Sequence, residues 1–226
     1  MVWADYERGG HMFIDRQDAG RQLGKALKRQ GLGGAECLVL AIPRGGVQVG
    51  LEVARILSCD LDAVMAKKIP APHNPEVAVA AVTCDGTLVV RPDLAGPYLP
   101  TREYLEKEGQ LRARSIARRL QVYRGNRPEV DCAGRTVILV DDGIATGFTV
   151  LAALRSLRNK GPRQLVLAIP TAPQETIAAL AKEVEHVVCL CQPEPFFAVG
   201  QAYRDFAPVD ESWVVAALAQ VNDRSI

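Results

Sequence analysis

The stretch that decides the fold is Thr136-Val137-Ile138-Leu139-Val140-Asp141-Asp142-Gly143-Ile144-Ala145-Thr146-Gly147-Phe148-Thr149. Its first five residues are almost all apolar, which predicts a strand buried on both faces of a sheet. Two carboxylates and a loop of small residues follow, and then apolar residues recur at helical spacing from Val150. A strand that leads through a short loop into a helix is typical of an α/β fold with a parallel sheet.

The same alternation of strand and helix continues on both sides of this stretch. The predicted strands are Cys37–Ile42, Leu61–Ala66, Leu165–Ile169 and Val187–Leu190. Asp15 is expected to cap the first helix, and the last helix is expected to begin near Asp210. Repeated strand–helix–strand units predict a central parallel sheet with helices on both faces.

The segment 70–128 differs from the rest. Three prolines within residues 70–76 predict a mobile loop, and the dipeptide Asp85-Gly86 predicts the turn of a hairpin. A helix is expected over about 101–123. We therefore predict one domain over 12–226, with 70–128 as an insertion of loop, hairpin and helix, and 1–11 as an extension before it.

Composition narrows the classes of function. The chain of 226 residues has 27 Lys and Arg against 26 Asp and Glu, a net charge of +1, which argues against nucleic-acid binding as the main function. No apolar run is long enough for a membrane span, and the N-terminus has no hydrophobic signal region, so we expect a cytoplasmic protein without a membrane partner. The six cysteines and three histidines show no metal-binding spacing. Residues 101–128 carry a local charge of +5. We interpret these basic residues as the solvated face of a helix, and binding of phosphates or contact with another subunit are the alternatives.

Two predicted strand ends carry residues suited to anions. After Asp142, the start of a helix offers free backbone N–H groups and the hydroxyls of Thr146 and Thr149, a cradle for a phosphate monoester. The acid pair beside it is compatible with an anion if it faces sugar hydroxyls or a cation that forms at a sugar carbon. The turn Pro43-Arg44-Gly45-Gly46 follows another strand and adds a guanidinium. An ordinary solvated Asp-Asp turn is the alternative for the acids considered alone.

The stretch 136–149 resembles the phosphoribosyl-pyrophosphate (PRPP) motif of type I phosphoribosyltransferases: an apolar strand, two acids and Thr-Gly-x-Thr. The resemblance implies their fold, a central parallel sheet with a small hood and a flexible loop. It implies that Asp141 and Asp142 hold the ribose and are catalytic, and that Arg44, Gly45 and Gly46 bind the pyrophosphate. The residues expected to bind the 5′-phosphate are Gly143, Ile144, Ala145, Thr146, Gly147, Phe148 and Thr149. Within the family, the chain looks like a bacterial group that opens with Asp-Arg-x-Asp-Ala-Gly, here residues 15–20, and carries Pro-Arg-Gly-Gly.

The resemblance assigns roles or comparisons with the family at four more positions. Lys67 and Lys68 match the catalytic basic pair at the entry to the flexible loop, with a solvated lysine pair as the alternative. Phe197, two residues before Val199-Gly200, matches the aromatic that stacks on the acceptor base. Ala145 stands where the 6-oxopurine branch of the family has an acidic residue that handles a proton of the base.

The implied activity is a Mg²⁺-dependent transfer of ribose 5-phosphate from PRPP to a nitrogen acceptor, with release of pyrophosphate. PRPP and a small-molecule acceptor are the expected partners, and a homo-oligomer is compatible with the sequence. Mg²⁺ is expected to be held mainly by PRPP oxygens and water, so no protein ligand for the metal is predicted. A PRPP-binding regulator without catalysis is the alternative, and a PRPP synthetase is a third reading that normally needs two such domains.

Overall fold

A five-stranded parallel sheet forms the centre of the protein. The structure is a computed structural model that describes residues 12–91 and 100–222. The central strands are β1 (Cys37–Ala41), β2 (Asp60–Ala63), β6 (Thr136–Val140), β7 (Gln164–Thr171) and β8 (His186–Cys191), in the order β2-β1-β6-β7-β8. All neighbouring pairs in this sheet are parallel, which confirms the predicted fold class.

Helices cover both faces of this sheet. They are α1 (Arg16–Arg29), α2 (Gly45–Leu57), α3 (Arg102–Arg124), α4 (Phe148–Arg158), α5 (Gln174–Leu180) and α6 (Glu211–Asn222). Side chains of β6 alternate between two cores: Ile138 packs in the core that contains residues of α1 and α2, and Leu139 packs in the core that contains residues of α4. This alternation explains why the strand is apolar at successive positions.

A second, antiparallel sheet lies between β2 and β6 in the chain. It consists of β3 (Ala66–Ala71), β4 (Asn74–Thr83) and β5 (Leu88–Val90), in the order β3-β4-β5. Ile69 packs with Leu105 of α3, while Ala81 packs with Ala152 of α4. The hairpin predicted around Asp85-Gly86 is confirmed, and so is the helix that follows it.

The Pro-rich segment is not the loop that its prolines predict. Pro70 lies in β3 and Pro75 in β4, so most of residues 70–76 belongs to a hairpin. The pairing of β3 with β4 shifts register on both sides of Pro70. Proline has no N–H to donate to the hydrogen-bond ladder, and it is tolerated at such irregularities because the regular ladder is interrupted there. The second predicted strand, Leu61–Ala66, is likewise replaced by β2 and the start of β3.

The boundaries of the domain stay predictions. Residues 1–11, predicted as an extension, lie outside the described residues. Within the described part of the chain, no helix is both long enough and apolar enough to cross a membrane. Ion pairs such as Arg119 with Glu211 and Arg124 with Asp62 account for part of the positive charge of α3.

Candidate functional site

The two predicted anion-binding segments lie side by side at one edge of the central sheet. Strands β1 and β6 are parallel neighbours, and their last paired residues are Ala41 and Val140. The amide of Ile42 extends this pairing with a 2.9 Å bond to the carbonyl of Val140. The chain then continues on one side into the turn 43–46 and on the other into Asp141, so the sheet brings both motifs to its carboxyl edge.

Gly45 and Gly46 are the first residues of α2, and both press against the acid pair. A Cβ atom on Gly45 would lie 1.8 Å from Oδ2 of Asp142, and one on Gly46 would lie 2.9 Å from Cα of Asp141. Neither glycine has a positive φ. An unusual backbone conformation therefore does not explain the two glycines. The glycines are needed because there is no room for a side chain.

Asp142 forms a largely buried ion pair with a residue from the start of the chain. Nε of Arg16 donates to Oδ2 of Asp142 at 2.6 Å, and the two side chains are 8% and 16% exposed. The hydroxyl of Tyr203 donates to the backbone carbonyl of Asp142. Burial and the nearby carboxylate of Asp142 raise the pKa of the Tyr203 hydroxyl, which keeps it a hydrogen-bond donor.

Asp141 has a different environment from its neighbour. Its Oδ1 accepts a 2.8 Å bond from the backbone amide of Asp142. Burial, followed by the charge of Asp142, raises the pKa of the Asp141 carboxyl well above its ordinary value of 3.8. The two acids are thus unequal, because one is neutralised by a guanidinium and the other resists ionisation.

The loop after the acid pair turns tightly into α4. Gly147 has a φ of +70° and precedes the first residue of the helix, so its left-handed conformation sets the direction of the turn. The amide of Ile144 donates to the carbonyl of Thr171 at 3.0 Å, and Thr176 of α5 donates to the carbonyl of Ala145 at 2.8 Å. These bonds hold the loop while Ala145 and Thr146 remain exposed.

The starts of α2 and α4 both lie next to this edge of the sheet. The first amides of a helix have no partner inside the helix and carry partial positive charge, which suits anions. Neither helix has a side chain that caps its N-terminus. The side chain of Arg44 is exposed, and within residues 12–91 and 100–222 it has no hydrogen bond or ion pair. Its guanidinium is therefore available to a ligand.

Lys67 and Lys68 do not lie at the end of a strand as predicted. Both are within β3, where they pair with Val82 and Ala81 of β4. The ammonium of Lys67 donates to Oγ of Ser115 on α3 at 2.8 Å, and Lys68 is exposed. Among the described contacts, none joins either lysine to the acid pair, and the catalytic role of the two lysines stays a prediction.

Phe197 lies beside a cleft that reaches the loop 143–149 at Ala145. The cleft has a volume of 640 Å³, and its walls include Ala145, Gln174, Gln192 and Phe196 as well as Phe197. The ring of Phe197 is 82% exposed, whereas Phe196 is half-buried.

The side chain of Gln201 fixes this segment. Its Oε1 accepts from the amides of Phe197 and Ala198 at 2.6 and 3.1 Å, and its Nε2 donates to the carbonyl of Pro195 at 3.0 Å. An exposed ring on a fixed backbone is free to stack on a planar ligand.

Sequence reasoning missed Arg16, Thr176, Gln201 and Tyr203. The signal for Arg16 was present in the opening Asp-Arg-x-Asp-Ala-Gly, where only Asp15 received a structural role. That role is confirmed, because Asp15 caps α1 with a 2.7 Å bond from the amide of Asp18. The other three residues carry no sequence signal, since their partners are backbone carbonyls or amides elsewhere in the chain.

Among the described residues, no group of three or more His, Cys, Asp or Glu side chains is placed to hold a metal ion. Mg²⁺ prefers oxygen ligands and commonly keeps several waters, with substrate phosphates completing its shell. A site with two carboxylates and no cage fits a magnesium ion that a phosphorylated ligand carries in.

Comparisons with known proteins agree with this geometry. Residues 15–202 match a family model described as phosphoribosyl transferase domain. Two Mycobacterium tuberculosis proteins, provisionally named phosphoribosyl transferases, are 40% identical over 210 residues, which is 92% of this chain and 46% of theirs. The chain thus spans about half the length of these curated relatives.

Two further matches differ in extent. TT1426 from Thermus thermophilus, for which a crystal structure is known, is 42% identical in sequence to this chain, and the two structures superpose with a TM-score of 0.79. The match covers 92% of this chain and 98% of TT1426. A ribose-phosphate pyrophosphokinase of Methanopyrus kandleri is 41% identical over 78 residues, only 33% of this chain and 27% of its own.

Proposed function

Since the chain belongs to the phosphoribosyl transferase family, we propose that it transfers the ribose 5-phosphate of PRPP to a nitrogen acceptor and releases pyrophosphate. One observation carries the proposal: two uncapped helix starts flank an acid pair at neighbouring strand ends. PRPP has a phosphate at one end of its ribose and a pyrophosphate at the other. Two anion-binding loops separated by carboxyl groups match that distribution of charge.

Each end of PRPP would meet one of the two loops. The 5′-phosphate would accept bonds from amides of the loop 143–149 other than that of Ile144, which donates to Thr171, and from the hydroxyls of Thr146 and Thr149. The pyrophosphate would contact the amides of Gly45 and Gly46 and the exposed guanidinium of Arg44, which suits phosphate oxygens because it is a forked donor.

The acid pair would act on the ribose between these loops. Carboxylate oxygens accept bonds from ribose hydroxyls, and their negative charge stabilises the positive charge that develops at C1 as pyrophosphate leaves. Each acid has one carboxyl oxygen that is already bonded, Oδ2 of Asp142 to Arg16 and Oδ1 of Asp141 to the amide of Asp142, so the other oxygen of each would face the ribose. No covalent intermediate with the chain is needed.

The role proposed for Mg²⁺ is limited. When bound to PRPP, the ion would neutralise charge on the departing pyrophosphate. It would be held mainly by PRPP oxygens and water. Lys67 and Lys68 were expected to share this task, and Lys68 is the one whose side chain remains exposed.

The 640 Å³ cleft beside Ala145 and Phe197 is the proposed acceptor site. Its walls carry two acids, Glu175 and Glu194, and no Lys or Arg among the described residues. A negative wall disfavours anionic acceptors, because like charges repel in a partly enclosed site. We therefore expect a neutral or cationic nitrogen compound, and orotate should be a poor acceptor.

Binding of PRPP is the first test. PRPP with Mg²⁺ at about 100 times its dissociation constant should stabilise the protein by about 2.7 kcal/mol, a clear rise in melting temperature. Ribose 5-phosphate and pyrophosphate, tested separately, should each give a smaller shift because each fills one loop. Absence of any shift at millimolar PRPP would contradict the proposal.

Release of pyrophosphate with a panel of nucleobases and other nitrogen compounds is the second test. The Phe197→Ala variant should raise the KM for an active acceptor and leave the PRPP shift unchanged, since the ring lies on the acceptor side only. Leu111→Ala is the matched control, because Leu111 is also exposed, at 61%, and lies on α3. Equal kinetics in the two variants would remove Phe197 from the acceptor site.

A PRPP-binding regulator without catalysis is the second candidate. It is favoured by the hydrogen bond from Lys67 to Ser115, which leaves that ammonium committed to α3 rather than to a leaving group. A PRPP shift without turnover of any acceptor would select this function.

A further inference from the structure

Asp142 is enclosed by residues from both ends of the described chain. Arg16, at the start of α1, bonds its carboxylate, and Tyr203 bonds its backbone carbonyl. Gly45 closes a third side, where its backbone comes so near that no Cβ fits. This carboxylate is therefore held in one orientation, unlike an acid in a solvated turn.

The guanidinium of Arg16 is fixed as well. Its Nη1 donates to the carbonyl of Ala207 at 2.8 Å, and its Cζ atom lies 3.7 Å from the centre of the Phe206 ring. The residue is only 7% exposed. A cation with this many contacts is not a surface charge that rearranges when a ligand arrives.

The proposed ligand makes this ion pair significant. PRPP is a polyanion, yet the site places two adjacent carboxyl groups between its anion-binding loops. Two full negative charges there would repel the phosphates at close range. Arg16 compensates one of these charges, and burial raises the pKa of the Asp141 carboxyl, so the site repels phosphates less than two free carboxylates would.

We infer that Arg16 is a positioning residue of the PRPP site, whose guanidinium fixes the Asp142 carboxylate and cancels its charge so that a polyanionic sugar phosphate can bind beside the acid pair. The inference rests on the proposed function. It assigns to the Arg of the opening Asp-Arg-x-Asp-Ala-Gly a task that the sequence alone did not indicate.

The variants that test this role alter charge and shape separately. Arg16→Met removes the charge, and Arg16→Lys keeps it but loses the forked donor and the stacking on Phe206. The double variant Arg16→Met/Asp142→Asn removes both charges and restores the balance. Arg21→Met is the control, because Arg21 lies on the same helix with its side chain 45% exposed and an ion pair to Asp18.

The first readout is the affinity for PRPP with Mg²⁺, measured by calorimetry on variants whose cooperative melting shows that they are folded. Arg16→Met should weaken binding at least about 10-fold, as expected for one uncompensated charge near a polyanion. Arg16→Lys should lie between this variant and the wild type. The double variant should recover most of the loss, and Arg21→Met should match the wild type.

The second readout is the dependence of that affinity on pH. Four ionisable groups face one another here: Arg16 from α1, Asp141 and Asp142 after β6, and Tyr203 from the C-terminal segment. Without Arg16, the negative charge beside the ligand is uncompensated, and it decreases as carboxylates take up protons at acidic pH. The ratio of variant to wild-type affinity should therefore rise toward acidic pH.

Three results would overturn the inference. The first is an affinity of Arg16→Met for PRPP equal to that of the wild type. The second is a double variant that binds PRPP as weakly as Arg16→Met, and the third is an affinity ratio that does not change with pH. Either of the last two would indicate that Arg16 acts through its packing and not through its charge. If Arg16→Met does not fold, the double variant decides, and a loss of about 10-fold or more in a folded double variant contradicts the inference. Failure of the wild type to bind PRPP would instead refute the proposed function, which keeps the two outcomes distinct.

Discussion

Replacement of Gly45 by alanine should lower the stability of the protein and disturb the proposed PRPP site. The added Cβ would lie 1.8 Å from Oδ2 of Asp142 and 2.8 Å from Nε of Arg16, distances at which something must move. Overpacking of this kind costs about 1–3 kcal/mol. Separation of the ion pair costs a further charge-assisted hydrogen bond, about 1.5–3 kcal/mol. Alanine recovers up to about 1 kcal/mol in helix propensity.

With about 1 kcal/mol recovered, the net loss for Gly45→Ala is about 1.5–5 kcal/mol. For a chain of this size, 1 kcal/mol shifts the melting temperature by about 2–4 °C, so a decrease of about 3–20 °C is expected by calorimetry. The affinity for PRPP should decrease as well, because the acid pair and the start of α2 move together.

Gly109→Ala is the matched control for this substitution. Gly109 is a buried residue of α3, and the nearest atoms to an added Cβ lie at 3.9 Å, an ordinary contact. Alanine there should stabilise the helix by about 0.5–1 kcal/mol. If Gly45→Ala melts within about 2 °C of the wild type and still binds PRPP, the close packing of this turn on the acid pair is wrong.

Two further predictions concern Asp141 and Ala145. The folded chain holds the Asp141 proton more tightly than the unfolded chain, so stability decreases as pH rises from about 3.8 through the raised pKa. Asp141→Asn should therefore be more stable than the wild type at about pH 8 and nearly equal near about pH 4 in urea titrations; equal stability at every pH would contradict this. Ala145 cannot accept a proton, and such help is worth about 10²–10⁴-fold, so hypoxanthine and guanine should be poor acceptors in a nucleotide-formation assay. Turnover of either at about 10⁴ M⁻¹s⁻¹ or more would refute the second prediction.

The central sheet could be predicted because its signals are local. Strand β6 begins and ends at the predicted residues, since five apolar residues between polar ones leave little choice of boundary. The register of β1 beside β6 then places the two segments predicted to bind anions, 43–46 and 143–149, at the carboxyl edge of the sheet. The segment 70–76 could not be predicted in the same way, because its prolines are accommodated by register shifts that depend on the partner strand.

The candidate site was predictable only in part. The loop 143–149, the turn 43–46 and Phe197 were found from motifs, and the structure brings them to one region. The tight packing of Gly45 and Gly46 on the acid pair could not be predicted, because the close approach of another strand end is not visible from a turn's own sequence. Lys67 was predicted to follow a strand, whereas it lies within β3, where its ammonium donates to Ser115.

The contacts around Asp142 link the two halves of the proposed reaction. Tyr203 bonds the carbonyl of Asp142, and Gln201, two residues earlier, holds the backbone of Phe197. One short segment thus contacts both the acid pair and the wall of the acceptor cleft. An acceptor that stacks on Phe197 would press on the same segment that fixes Asp142. The segment 195–203 therefore joins the backbone of Asp142 to the wall of the proposed acceptor cleft, so both sides of the proposed reaction depend on its position.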